Sequence, residues 1–198
     1  MLTLAAAFLP FAVVAGFTPG PNNLMLAASG ANFGFRRTLP HLLGIVCGFP
    51  LVVLATGLGL GTVFQSHPDV HGIMKFVGAA FLIYLAWRIA TSDPAAPNAA
   101  LGRPLTFIEA ALFQWVNIKG WVFAIGAITT YTTVGGRVAS ELAVILAISL
   151  LVTIGSTTAW TGFGVGLSQF LQGSTVVRRV FNVGMAALLV LSIVPVLM

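Results

Sequence analysis

The chain has 198 residues, of which 58% are hydrophobic and 7% charged, with a mean hydropathy of +1.03. A soluble domain carries about 25% charged residues, so this chain has too few to cover a water-facing surface and reads as an all-α integral membrane protein. Its net charge of +5 does not mark a nucleic-acid binder, because the basic residues are scattered in pairs over short loops and lack the clustered face that phosphate binding needs.

A membrane helix needs about 20 mainly apolar residues to cross a hydrocarbon core of about 30 Å. Six stretches qualify: residues 3–31, 40–64, 71–90, 105–131, 139–167 and 177–197. Strand-sized segments of alternating polarity are absent, which argues against a membrane barrel. The first stretch has no Lys or Arg before its apolar run and no small-residue cleavage site, so it is expected to be retained and not removed as a signal peptide.

That first stretch carries its most polar residues at its centre, near Phe17: Thr18-Pro19-Gly20-Pro21-Asn22-Asn23. Two prolines and a glycine break a helix. A proline kink alone is common in membrane helices, because neighbours satisfy the freed carbonyls. The second stretch opens with His41, four residues after Arg37, and holds Cys47, the only cysteine. A lone cysteine excludes a disulfide and a thiol pair, and Cys47 reads as a small packing residue. Between the second and third stretches, His67-Pro68-Asp69-Val70-His71 resembles a metal-ligand cluster, but Pro68 disrupts helical spacing and no further ligand is visible. No metal and no organic cofactor is expected.

Residues 91–104, "TSDPAAPNAALGRP", form the one clear linker. They divide the chain into a first half of three segments (1–90) and a second half of three (105–198). Three crossings per half invert the second half relative to the first, giving two inverted three-helix repeats if the halves share a fold. Thr56–Gly61 "TGLGLG" matches Thr161–Gly166 "TGFGVG", and Val77–Leu82 "VGAAFL" matches Val183–Leu188 "VGMAAL", at nearly one offset. Small residues four apart, such as Gly44 with Gly48 and Gly57 with Gly61, suit close helix packing and would also permit a homodimer.

The fourth stretch, centred near Ile118, carries the second polar interruption: Gln114, Asn117, Lys119 and Gly120 in "FQWVNIKGW". Helices one and four are therefore both expected to break at mid-membrane. A lysine at that depth costs about 2.5–3.5 kcal/mol on insertion scales, and such residues usually line a site. Glu109 and Glu141 lie at helix ends and Asp69 and Asp93 in loops, so the expected partner of Lys119 is an anion from outside the protein. A break leaves free amides on one half-helix and free carbonyls on the other, suited to the carboxylate and the ammonium of a small zwitterion. Asn22, Asn23, Gln114 and Asn117 add neutral donors and acceptors. The residues point to a secondary transporter for a small zwitterion or anion.

Six arginines (36, 37, 88, 103, 178 and 179) fall in the three loops of one side, against Arg137 and Lys75 on the other. The positive-inside rule puts those three loops in the cytoplasm and both termini outside. Tyr84, Trp87, Trp121 and Tyr131 lie toward segment ends, as an interfacial belt would. Trp115, beside the second break, suits either a cavity wall or simple packing.

"FTPGPNN" followed by "GFRR" (Gly34 to Arg37), with "QWVNIKGW" in the second half, resembles the lysine-exporter translocator family, the LysE/RhtB type. The resemblance spans nearly the whole chain. It implies export of amino acids across the bacterial inner membrane, in exchange for protons, with Thr18, Pro19, Gly20, Pro21, Asn22, Asn117 and Lys119 along the substrate path. The family's Asn-Pro-Lys is here Asn117-Ile118-Lys119, with Gly120 left to loosen the helix. With no acid at the midplane, Lys119, His41 and Glu109 are the candidates for coupling to protons. A cationic substrate side chain would want a buried carboxylate, so neutral amino acids are favoured. Another small anion or an ion on the same architecture is the alternative cargo. A non-transporting accessory protein would have no use for Lys119, and no hydrolase motif such as Gly-x-Ser-x-Gly or His-Glu-x-x-His is present. The expected partners are thus a small-molecule substrate and the lipid bilayer.

Overall fold

A computed structural model describes residues 1–60, 68–92, 103–133, 137–171 and 174–194, without the side chains of 68–71 and 74. These residues form seven α-helices: α1 (Leu2–Phe17), α2 (Pro21–Ala55, running into a π-helical turn over Thr56–Leu60), α3 (Pro68–Ala90), α4 (Phe107–Val116), α5 (Ile118–Tyr131), α6 (Val138–Leu171) and α7 (Thr175–Leu191). Helices satisfy every interior backbone group within the segment, as hydrocarbon demands. Large apolar side chains stay exposed around the bundle, among them Leu2, Leu58, Phe76, Leu151 and Phe170. Such a surface fits lipid and not water, and the chain is an all-helical integral membrane protein. By length and apolarity alone, Pro21–Leu60 and Val138–Leu171 can each cross a bilayer, and the bent pair α4–α5 makes a third span among the described residues.

The loop expected between the first two stretches is a single residue. Gly34 sits at φ 77, ψ 170 inside α2, and the chain reverses there. Ser29 and Thr38 would stand about 13.5 Å apart along a continuous helix, yet their hydroxyls are 2.9 Å apart. The Thr38 hydroxyl also donates to the Gly34 carbonyl. This backbone region is open essentially to glycine alone. Gly34→Ala is therefore expected to cost about 1–3 kcal/mol, read as a lower unfolding temperature of the purified protein. Gly184, which has a helical backbone and open space around it, supplies the control: Gly184→Ala should leave that temperature unchanged.

α6 lies along α2 and forms the spine of the bundle. At their crossing a Cβ on Gly30 would meet the carbonyl of Thr161, and a Cβ on Gly164 would meet that of Ala27. Gly44 and Gly48 do the same for α2 against Phe107 and Ala111 of α4, so these glycines serve close packing as expected. The contacts follow a pattern. The second stretch packs on the fourth, the fifth packs on the first, and α3 pairs with α7. The matched glycine motifs differ locally: Thr56–Leu60 unwinds into the π turn with Gly59 at φ 108, whereas residues 161–166 stay α-helical within α6.

The described helix ends that flank the three basic loops meet at one end. Asn32 and Asn182 exchange side-chain hydrogen bonds of 2.8 and 3.2 Å, and Asn182 also donates to the Ser92 carbonyl at 3.4 Å. Two expectations are corrected. Cys47 faces outward from α2 and does not pack inside. Trp121 is buried and donates its indole N–H to the Trp115 carbonyl, so it belongs to no interfacial belt. Tyr84 and Trp87 are exposed on α3, as a belt requires.

Candidate functional site

The first break runs from Thr18 to Gly20, both in extended backbone, and Pro21 restarts the helix. Proline suits the first helical position because its missing N–H would be unpaired there anyway. The C-terminal carbonyls of α1 are all met from elsewhere, as buried backbone must be. Thr18 N–H donates to Val14 and its hydroxyl to Ala15. The Gly16 carbonyl accepts from the Asn23 amide at 2.8 Å and the Ser156 hydroxyl at 2.7 Å. That of Phe17 accepts from the Trp160 indole at 3.2 Å.

The second break falls on Asn117 (φ −81, ψ 95), where α4 and α5 meet with a bend of 62°. No proline is needed. The Trp121 indole takes the Trp115 carbonyl at 2.9 Å, and the bare backbone of Gly78 admits the Val116 carbonyl against α3. The Asn117 carbonyl accepts from the N–H groups of Gly120 and Trp121 and starts α5. Across the two breaks Asn22 and Gln114 form a reciprocal amide pair at 2.8 and 3.2 Å, and Gln114 also donates to the Ala110 carbonyl.

Lys119 joins the breaks. Its ammonium donates to the Thr18 carbonyl at 2.9 Å, to the Thr18 hydroxyl at 3.0 Å, and to the Pro19 carbonyl at 3.4 Å. The Thr18 carbonyl also accepts from Asn23 at 2.9 Å. This corrects the expectation of a lysine without partners in the chain: the broken end of α1 supplies neutral acceptors, and its dipole favours a cation there. The carbonyls expected to hold a substrate ammonium are already held by the protein's own lysine.

Between the breaks lies a cavity of about 70 Å³, lined by Gly20, Pro21, Asn22, Asn23, Asn117 and Lys119 of the predicted set. Thr18 and Pro19 do not line it but anchor Lys119, and Gln114 acts through Asn22. Among the described residues no carboxylate lines it, and Lys119 is the one charged side chain in its wall. No side chain caps the start of α2 or of α5, which both begin at the cavity, whereas Thr106 caps α4 and Ser174 caps α7.

The sequence reading missed the opposite wall, made by Ser149, Thr153, Ser156 and Thr157 of α6, with Phe49 and Phe123. Their spacing was the available signal, since small hydroxyls at 149, 153, 156 and 157 share one helical face. Thr153 and Thr157 spend their hydroxyls on backbone carbonyls one turn back. Ser149 does not: its Oγ is buried with no partner among the described residues.

The other two candidates for proton coupling lie elsewhere. Glu109 forms a capping box with Thr106 at the start of α4 and a two-pronged ion pair with Arg103, both contacts at 2.7 Å. His41 lines a different cavity, beneath the Gly34 turn. Trp115 does not line the cavity between the breaks and packs its ring near that of Trp121. The His67–His71 cluster lies outside the described side chains, and no group of metal ligands occurs among those described.

Residues 13–195 match the LysE type translocator family. The chain is also 32% identical over 130 residues to the cysteine/O-acetylserine efflux proteins of Escherichia coli (strain K12) and Shigella sonnei (strain Ss046). That alignment covers 65% of this chain and 66% of each relative, just under two thirds of the relatives' length. No solved structure matches it. A polar seam at which two broken helices meet, bridged by one lysine within an apolar bundle, agrees with that match over nearly the whole chain: it belongs to the LysE type translocator family and is a membrane transporter, not an enzyme.

Proposed function

We propose that the protein exports small neutral amino acids with polar side chains from the bacterial cytoplasm, in exchange for protons. One observation carries this reading: among the described residues, the cavity between the two breaks has a lone ammonium and two uncapped helix starts in its wall, and no acid. Those groups suit a carboxylate. A substrate ammonium, the better-placed cation once bound, would take over the Thr18 and Pro19 carbonyls and turn Lys119 toward the carboxylate. The Ser149 hydroxyl and its neighbours suit a hydroxyl, thiol or ester on the substrate, consistent with the cargo named for the efflux relatives. The same cavity would serve another small anion, which is the second reading.

The architecture proposed with it is six crossings in two inverted repeats, with both termini outside. The reciprocal packing of second on fourth and fifth on first stretch supports the repeat. The asparagine ties that gather three basic loops at one end support the orientation.

Cells loaded with dipeptides, with and without the protein, provide the test. Serine-like or cysteine-like amino acids should accumulate faster in the medium when it is present. If no amino acid moves while the protein is folded in the membrane, the amino-acid reading falls and the anion reading takes its place. Within the same assay Ser149→Val should reduce export of serine relative to valine about tenfold, the worth of one buried hydrogen bond. An unchanged ratio would show that Ser149 does not read the substrate side chain.

A further inference from the structure

A second cavity, of about 50 Å³, lies at the end of the bundle where the basic loops gather. Its walls come from α2 on both sides of the Gly34 turn, from the last turn of α3, and from the stretch entering α4. That volume is several times what one water needs. His41 lines it and is 1% exposed, and neither of its ring nitrogens has a hydrogen-bond partner among the described residues. A neutral imidazole has one donor and one acceptor, and leaving both unmet inside a protein is costly. The contents of the cavity must therefore meet them.

The charges narrow what those contents are. Arg88 lines the cavity and is 7% exposed, against a surface norm for arginine. Its guanidinium has five N–H donors, of which one goes to the Arg103 carbonyl at 3.0 Å, while its Cζ lies 5.8 Å from the centre of the Tyr84 ring. Arg103 is matched by Glu109. The Asn32 amide is spent on Ala28 and Asn182, and the Ser29 hydroxyl on Thr38. No carboxylate lines the cavity among the described residues. Among the described residues, the groups left over are a buried guanidinium without an acid and an imidazole without a partner.

We propose that this cavity binds a small carboxylate, held by the Arg88 fork and the His41 ring. Resting on the exporter reading above, the carboxylate is that of the exported amino acid, which loads here before it reaches the midplane. One half-helix runs past both cavities, with Pro21–Asn23 in the first wall and Met25–Phe33 in the second.

The test uses purified full-length protein labelled with ¹⁵N-histidine, with acetate and L-serine as separate probes. The sequence has three histidines, and the His41 signal is the one lost in His41→Leu. Acetate should shift that signal saturably, and should do so equally in Lys119→Gln, which disables only the cavity between the breaks. Arg88→Gln should weaken acetate binding at least tenfold. Arg88→Lys, which keeps the charge without the fork, gives an intermediate loss and serves if the glutamine variant does not fold. An equivalent shift with L-serine supports loading of the exported amino acid; a shift with acetate alone overturns the loading role and leaves a site for free carboxylates. No saturable shift with either probe means that the cavity holds only water, and the proposal is wrong. Failure of the exporter reading would show in the dipeptide assay and would leave the acetate shift untouched.

Discussion

Lys119→Gln should lower export about 100-fold while the protein still folds and reaches the membrane. Glutamine retains a donor for the Thr18 carbonyl, so the seam between the halves keeps one of its hydrogen bonds. What it loses is the charge. A hydrogen bond to an ionised partner contributes about 1.5–3 kcal/mol in proteins, and Lys119 is the one charged group among the described residues in the wall of the cavity between the breaks. In liposomes the variant should also fail to drive substrate uphill under an imposed pH gradient, because no other titratable side chain among the described residues lines that cavity. A purely structural lysine predicts something else: export would fall only as far as the unfolding temperature does. Measuring both on one preparation separates the two roles, and uphill transport by Lys119→Gln would rule out proton coupling through this residue.

Gly164→Ala should prevent stable folding altogether. The added methyl group would run into the backbone of Ala27 on α2, where no side chain can turn aside. Overpacking usually costs about 1–3 kcal/mol, and more when the obstacle is rigid; here α2 and α6 form the spine, so the two longest helices would have to part. Neighbouring glycines of the same motif provide the comparison. Gly162 and Gly166 have nothing within 4 Å of the position a Cβ would take, so Gly162→Ala and Gly166→Ala should behave like the unmodified protein. Detergent-extracted yield and monodispersity distinguish these outcomes. Equal yields from all three variants would show that the α2–α6 crossing is looser than its geometry implies.

The first break could be read from the sequence because Pro19, Gly20 and Pro21 act locally, through missing donors and restricted backbone. The second was legible only as a cluster of polar residues. Its 62° bend comes from tertiary partners, the Trp121 indole and the Gly78 backbone, which no local rule exposes. The environment of Lys119 was misjudged for a related reason. Counting acids finds charged partners, but the partners here are carbonyls from a residue pair about a hundred positions away. The hydroxyl wall of α6 was readable as periodicity yet easy to pass over, since serine and threonine in membrane helices commonly bond their own backbone, as Thr153 and Thr157 do. The one-residue turn at Gly34 was hidden by the absence of any companion proline.

The ties that complete the end of α1 have a bearing on how the protein is made. Ser156, Trp160 and Lys119 leave the ribosome long after Gly16, Phe17 and Thr18 have reached the bilayer. Until they arrive, the Phe17 carbonyl lacks its Trp160 partner and those of Gly16 and Thr18 have only the Asn23 amide, among apolar surroundings that offer no substitute. Biogenesis is therefore complete only when the last segments dock, and the first half expressed by itself should be an orphan that membrane quality control removes. Supplying the second half as a separate chain in the same cell should rescue it.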